Sequence, residues 1–343
     1  MTKETTMFNF DEDRYRKIQS GAASLAGEID ATIGKLLDDG AKNIFFLGTG
    51  GVAFLTQPAA ALLDRKSTFP VHKGFGAELV ITGSPHLNEH SIVVIPSLSG
   101  TTKESITLLD YVKERGAKTI TLVGHADTPL GKEADHAFVN FAEDDTSSES
   151  FYIQTLLIAL SVLKHRGEIS NYERLVEEVQ LLPAALLEAK RGFETKAPGL
   201  ADVLDAHDYH IFTSAGNSWP EAHYYGMCIL EEMQWILTRP VHASDFFHGT
   251  LEMLENGVSL FVLQGEDECR PLTERVVAFA EKYTDSLTVI DTKEVNLPGI
   301  GSELRALVSP AVLAALFERV SAHLEHKRDH PLTTRRYYKK VSY

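Results

Sequence analysis

Three carboxylates and two imidazoles crowd the nineteen residues EEMQWILTRPVHASDFFHG, positions 231–249: Glu231, Glu232, His242, Asp245 and His248. A carboxylate and an imidazole can carry protons to and from carbon and oxygen near neutral pH, so the stretch invites an acid/base reading. A metal site would want histidines and carboxylates at a ligand spacing such as H-E-x-x-H, and none is present. A helix is expected from about Ser218 or Pro220 to Thr238, where Arg239-Pro240 stops it. On a 3.6-residue period, Glu232 shares its face with Tyr225, Cys228, Ile229, Trp235 and Ile236. A carboxylate on that apolar stripe is expected to have a raised pKa suited to proton transfer. Glu231 falls on the more polar side, as a solvated or structural group. Gly249 suggests a tight turn that holds His248 out into a cleft, but His242 and His248 each stay open as catalytic or structural.

A second candidate lies in VVIPSLSGTTKES, where Ser97, Ser99, Thr101 and Thr102 follow a buried strand and open a helix. The N–H groups and partial positive charge of a helix N-terminus suit phosphate, and hydroxyls add donors. Four hydroxyls exceed what one N-cap needs. Gly100 is expected to let the backbone approach a ligand closely. No Walker lysine follows, so this is not a nucleotide-type loop. The Gly-rich turn Gly48, Thr49, Gly50 is a weaker candidate of the same kind and not a dinucleotide signature.

The elements that must hold these groups alternate. Short apolar strands are expected at 43–48, 91–100, 118–125 and 136–141, separated by helices, then a long apolar helix from about 149 to 167. Strands that are apolar throughout and alternate with helices predict a parallel sheet covered on both faces. A charged, amphipathic stretch from 166 to about 206, broken by Pro183 and Pro198, reads as a helical connector. The alternation then restarts with YHIFTSAG, GVSLFVLQG and SLTVID. FFLGTGGVAF and IFTSAGNSWP open the two halves alike, which suggests a duplicated α/β domain. The expected division is 1–165, N-terminal helices and a first domain; 166–205, connector; and 206–343, a second domain with a basic tail.

The 343 residues carry a net charge of −15, which opposes nucleic acid and anionic membrane as partners. Two cysteines without ligand spacing fit a reducing compartment, and no signal-like or membrane-spanning run is evident, so a cytoplasmic protein is expected. The tail HKRDHPLTTRRYYKKVSY reverses the charge with Lys327, Arg328, Arg335, Arg336, Lys339 and Lys340. It reads either as a solvated tail or as a flap for an acidic partner subunit or an anionic ligand.

SLSGTT after a strand, a repeated α/β half, EMQW, FFHG, DECRPLTERVVAF and the tail together resemble the double-SIS (sugar isomerase) proteins. Within them the chain is most similar to the deglycases of phosphorylated Amadori compounds, over essentially its whole length. The resemblance implies two tandem SIS domains, each a Rossmann-like, flavodoxin-type three-layer α/β sandwich. It implies an acid/base pair of a glutamate and a histidine 16 residues later, which Glu232 and His248 match. Ser97, Ser99 and Thr102 match its phosphate binders, with Gly48, Thr49 and Gly50 beside them; Glu149, His242 and Lys340 are further candidate substrate contacts. Gly50 stands where a serine is frequent, and Ile229 where the synthase branch has a lysine that helps open the sugar ring. The implied activity is hydrolysis of a fructosamine 6-phosphate to glucose 6-phosphate and a free amine, without metal or redox cofactor, in a homodimer with shared active sites. A phosphosugar aldose–ketose isomerase and a phosphosugar-sensing regulator are the alternatives; the short acidic segment 1–40 leaves no room for the DNA-binding module a regulator would carry.

Overall fold

A computed structural model describes residues 6–143, 145–338 and 340–342. The chain divides into two compact units. One comprises Glu12–Ala184 and Gly299–Leu304; the other comprises residues up to Asp11, Ala185–Pro298 and Arg305 onward.

The Glu12–Ala184 unit holds strands β1 (Asn43–Gly48), β2 (Val71–Phe75), β3 (Ser91–Ser97), β4 (Lys118–Val123) and β5 (His136–Val139). All pair in parallel in the order β2-β1-β3-β4-β5. Every residue of β1 and β3 is buried, as expected of central strands covered on both faces. Strand β2, VHKGF, lacks such a run. It lies at the sheet edge, half-buried to exposed, and so carries no apolar signal that would mark it in the sequence. The long helix Ser147–His165 is buried along nearly its whole length. Two helices follow β1, Gly51–Leu55 and Gln57–Lys66, parted at Thr56.

The second unit holds β6 (Tyr209–Ser214), β7 (Leu237–His242), β8 (Ser259–Gln264) and β9 (Leu287–Asp291), parallel in the order β7-β6-β8-β9. This repeats the first sheet's order as far as it goes. Two expectations are corrected. Pro183 does not break the connector: it sits inside the continuous helix Tyr172–Phe193, and only Pro198 starts a new helix, Ala197–Ala206. The segment Leu237–His242 is a strand, not the end of a helix followed by a loop. Pro240 is tolerated there because β7 is the sheet edge, where a missing N–H need not break a ladder. The helix Ser302–Lys327 is long and apolar enough by composition to cross a membrane, but 83% of its most apolar window is buried inside the protein.

Buried charge helps hold the second unit together. Arg319 and Lys190 are fully buried. The Arg319 guanidinium donates from Nη2 and Nε to the two oxygens of Glu318, at 2.6 and 2.8 Å, and Lys190 Nζ reaches Glu318 at 2.8 Å. Glu194 accepts from the Phe8 N–H at 2.8 Å and lies 2.9 Å from His323 Nε2, while Arg319 Nη1 donates to the Phe8 carbonyl. Both cations also sit over the Phe10 ring. The short segment around Phe8 and Phe10 is thereby fastened to its own unit through the charges of the helix Ser302–Lys327.

Candidate functional site

In the first sheet, the strand order reverses direction between β1 and β3, and ligands of open α/β sheets bind outside the carboxyl ends of strands at such a point. The register sets Phe46 beside Val94, so the turns after β1 and β3 leave the same edge side by side. Gly48, Thr49 and Gly50 form one turn; Ser97 to Thr102 form the other. Thr102 is the N-cap of the helix Lys103–Lys113, yet its hydroxyl does not cap the helix. It lies 3.4 Å from the Ser97 hydroxyl instead. Ser99 Oγ accepts from the Thr101 N–H at 3.3 Å and from its hydroxyl at 3.1 Å. The loop therefore gathers hydroxyls at a helix N-terminus without spending them on capping, which suits an anion.

Gly100 has a further reason beside the one expected. Its φ is +62°, and a Cβ there would lie 2.1 Å from Thr128 Oγ1, so it is required by packing within the protein as well as by its left-handed backbone. Gly100→Ala is expected to cost about 1–3 kcal/mol, from the left-handed penalty plus overpacking, read as a lower urea midpoint. An unchanged midpoint would mean that Thr128 moves aside freely.

The second sheet uses its reversal point otherwise. There the carboxylate of Asp267 accepts from the Asn217 N–H at 2.7 Å and the Cys269 N–H at 3.0 Å, and crowds Gly216, whose φ is +61°. The chain's own carboxylate takes the amides that the first loop leaves to hydroxyls. Sequence likeness of the two openings did not reveal this difference, which rests on a residue 50 positions away.

Glu232 is not on an α-helical stripe. An α-helix covers Trp219–Tyr224 only, and a π-helix runs from Tyr225 to Gln234. Its i→i+5 pattern displaces the neighbours counted on a 3.6 period, and such segments recur at functional sites. The α-helical face expected to carry Glu232 is therefore absent. Glu231 accepts from the Thr238 N–H at 3.2 Å and its hydroxyl at 2.6 Å, tying the π-helix to β7. Glu232 is 37% exposed at its side chain, and its Oε1 lies 2.9 Å from Arg335 Nε. That nitrogen makes no directed hydrogen bond, so the contact is ionic. Instead of an apolar pocket, the Glu232 carboxylate faces a guanidinium supplied by the tail.

The tail folds back onto its own unit. His330 accepts from Gln234 Nε2 at 2.7 Å and packs edge-on against Trp235, Glu325 accepts from the Leu332 N–H, and Arg335 Nη1 donates to the Leu332 and Thr334 carbonyls. Lys340 donates to the Arg335 carbonyl at 2.6 Å. Lys339 lies outside the described residues. The reversed charge of the tail was legible in the sequence; that it meets Glu232 of the same chain was not.

His248 is exposed in the turn after the short helix Ala243–Phe246, and Gly249 follows at φ +149°. Among the described residues its imidazole has no hydrogen bond or ion pair. His242 is engaged: its Nδ1 accepts from the Ser244 N–H at 3.2 Å, its ring meets Trp219 edge-on, and burial lowers its pKa against the opposing pull of Asp245. Burial likewise pushes the Cys228 thiol up, reinforced by the Glu232 carboxylate. Glu149 is buried in the other unit, on the helix Ser147–His165, and accepts from the Tyr15 hydroxyl at 3.3 Å. Among the described residues, no group of three or more His, Cys, Asp or Glu could hold a metal ion.

Comparison with known proteins supplies a context for these groups. Residues 39–164 match the model of the SIS domain. The fructosamine deglycase FrlB of Bacillus subtilis (strain 168) is 29% identical over 335 residues, 95% of this chain and 100% of that one. The fructoselysine 6-phosphate deglycase of Escherichia coli (strain K12) is 25% identical over 98% of this chain and 97% of its own. The crystal structure of a candidate phosphosugar isomerase from Bacillus subtilis superimposes with a TM-score of 0.86 at 28% identity, covering 94% of this chain and 99% of that one. The match places a SIS domain on the first sheet, and the second sheet repeats the same parallel α/β order.

Proposed function

We propose that the protein is a deglycase: it hydrolyses the 6-phosphorylated Amadori product of an amino acid to glucose 6-phosphate and the free amine. The observation that carries the reading is the pairing of near full-length likeness to two named deglycases with a half-exposed Glu232 and, 16 residues on, an unengaged His248.

In this reading the hydroxyl loop Ser97–Thr102 takes the phosphate. His248 assists ring opening and carries a proton at O5 or the C2 oxygen. Glu232 removes a proton from C1, leaving an enaminol with the C1–C2 double bond, and a proton is returned at C2. The double bond moves to C1=N, water adds at C1, and the C–N bond breaks to release the amine and an aldose 6-phosphate. These steps are proton transfers and a hydration, the work of general acids and bases. The assembly that goes with the reading is a homodimer with shared active sites, His248 serving the neighbouring subunit; its exposure and lack of an intramolecular partner support that role.

The test is release of glucose 6-phosphate from a panel of fructosamine 6-phosphates, followed with a coupled dehydrogenase. At least one amino-acid adduct is expected to turn over, with amine and glucose 6-phosphate formed in equal amounts. Interconversion of free fructose and glucose 6-phosphates with no adduct consumed would replace the deglycase by an isomerase.

A further inference from the structure

Beside Glu232 lies a cavity of about 480 Å³ contained within the second unit, whose lining includes Glu231, Glu232, Trp235, Arg335, Arg336 and Tyr337. Its charges do not close among themselves. Glu231 is committed to Thr238 and Arg335 lies against Glu232. Arg336 has no acidic side chain against it among the described residues; its guanidinium lies 4.0 Å from the centre of the Trp235 ring. An arginine seated over an aromatic face still has N–H groups to form paired hydrogen bonds with a carboxylate.

Trp235 is set up for that purpose at a cost. Its φ is +58° and ψ 31°, a left-handed conformation worth about 1–2 kcal/mol of strain for a residue with a side chain. The strained turn ends the π-helix directly after Glu232 and Gln234, and leaves the indole 40% exposed between His330 and Arg336. A tail that was merely solvated would not call for a bulky residue there, and strain of this kind collects where a group must be held for a ligand.

The geometry points to a binding subsite for the amino-acid half of the substrate, in which Arg336 on its Trp235 platform pairs with a carboxylate of the amine that leaves. The inference rests on the deglycase reading and deepens it: it names the side chains that recognise the carboxylate of the amino acid that leaves. Glu231 and Glu232 on the same wall disfavour additional negative charge except at the Arg336 end, so the carboxylate has one place to go.

Three matched pairs of fructosamine 6-phosphates test it: the adducts of glycine and methylamine, of aspartate and ethylamine, and of lysine and 1,5-diaminopentane, each pair differing only in its carboxylates. In the pair turned over fastest, the wild type is expected to favour the carboxylate-bearing adduct by about 10- to 100-fold in kcat/KM, the range of a hydrogen-bonded charge pair. In Arg336→Gln that ratio falls to within about threefold, while Arg336→Lys keeps part of it through the charge alone. A wild-type ratio near one, or a ratio unchanged in Arg336→Gln, overturns the subsite and leaves the deglycase reading standing. No glucose 6-phosphate from any of the six adducts overturns both.

Discussion

Glu232→Gln is expected to leave the urea unfolding curve unchanged and to lower turnover of a fructosamine 6-phosphate by about a thousandfold or more. The substitution keeps the shape of the side chain and an oxygen facing Arg335 Nε, 2.9 Å away in the wild type. It removes only the capacity to accept a proton from carbon, and a positioned acid/base group contributes typically 10²–10⁴ in rate. The half-exposed position makes a large folding penalty unexpected, so activity and stability should separate cleanly. Glu231→Ala is the informative comparison. Glu231 accepts two hydrogen bonds from Thr238, so its loss should loosen the junction between the π-helix and β7 and lower stability more than it lowers the chemical step. If Glu232→Gln turned over normally while Glu231→Gln, which keeps an oxygen for Thr238, did not, the two adjacent glutamates would have to exchange roles.

The second large effect concerns stability. Glu318→Gln is expected to cost about 3–5 kcal/mol, because it removes the carboxylate shared by two buried cations, Lys190 and Arg319, and leaves their charge uncompensated. Burial alone would raise the Glu318 pKa, but Lys190 and Arg319 outweigh it and hold the carboxyl below its ordinary value. A depressed folded-state pKa contributes stability that is present above about pH 4.5 and is lost as pH falls through the folded value. The cost of the substitution should therefore shrink in acid. Removing the Lys190–Glu318 pair together, as Lys190→Met with Glu318→Leu, should cost clearly less than Glu318→Gln alone, since Arg319 retains Glu194 at 3.3 Å. Asp39→Asn, which breaks an exposed pair with Lys35, should stay under about 0.5 kcal/mol. Equal costs for Glu318→Gln and Asp39→Asn would show that the cluster is not energetically buried.

What the sequence made legible follows physical lines. The central strands β1, β3, β4, β6 and β8 are continuous apolar runs, because a parallel sheet is buried on both faces, and each was readable. The edge strands β2 and β7 were not: VHKGF is half exposed, and LTRPVH carries a proline that only an edge strand admits. The hydroxyl loop after β3 was evident from local composition, since its residues are contiguous and its helix follows at once. The π-helix was invisible, because its apolar residues fit a 3.6 period tolerably over a few turns, and only the wider ladder reveals the different spacing. Arg335 and Arg336 could be seen as cations but not placed. They reach the π-helix end through tertiary contacts spanning 96 or more positions, such as that between Gln234 and His330, and no local pattern encodes those. The expected reason for choosing Glu232, an apolar stripe, is replaced by a contact with a guanidinium from the tail, while the contrasting structural role of Glu231 now has two hydrogen bonds behind it.

Product analysis tests the central claim most directly. The purified protein is incubated with the 6-phosphorylated fructosamine of an amino acid, carrying two deuterons at C1, and the sugar phosphate formed is identified by NMR. Removal of one proton from C1 by Glu232, followed by hydrolysis of the C1 Schiff base, predicts glucose 6-phosphate with one deuteron left at C1, and no product from Glu232→Gln. Direct displacement of the amine at C1 would instead give fructose 6-phosphate with both deuterons retained, and that product would contradict the enaminol account.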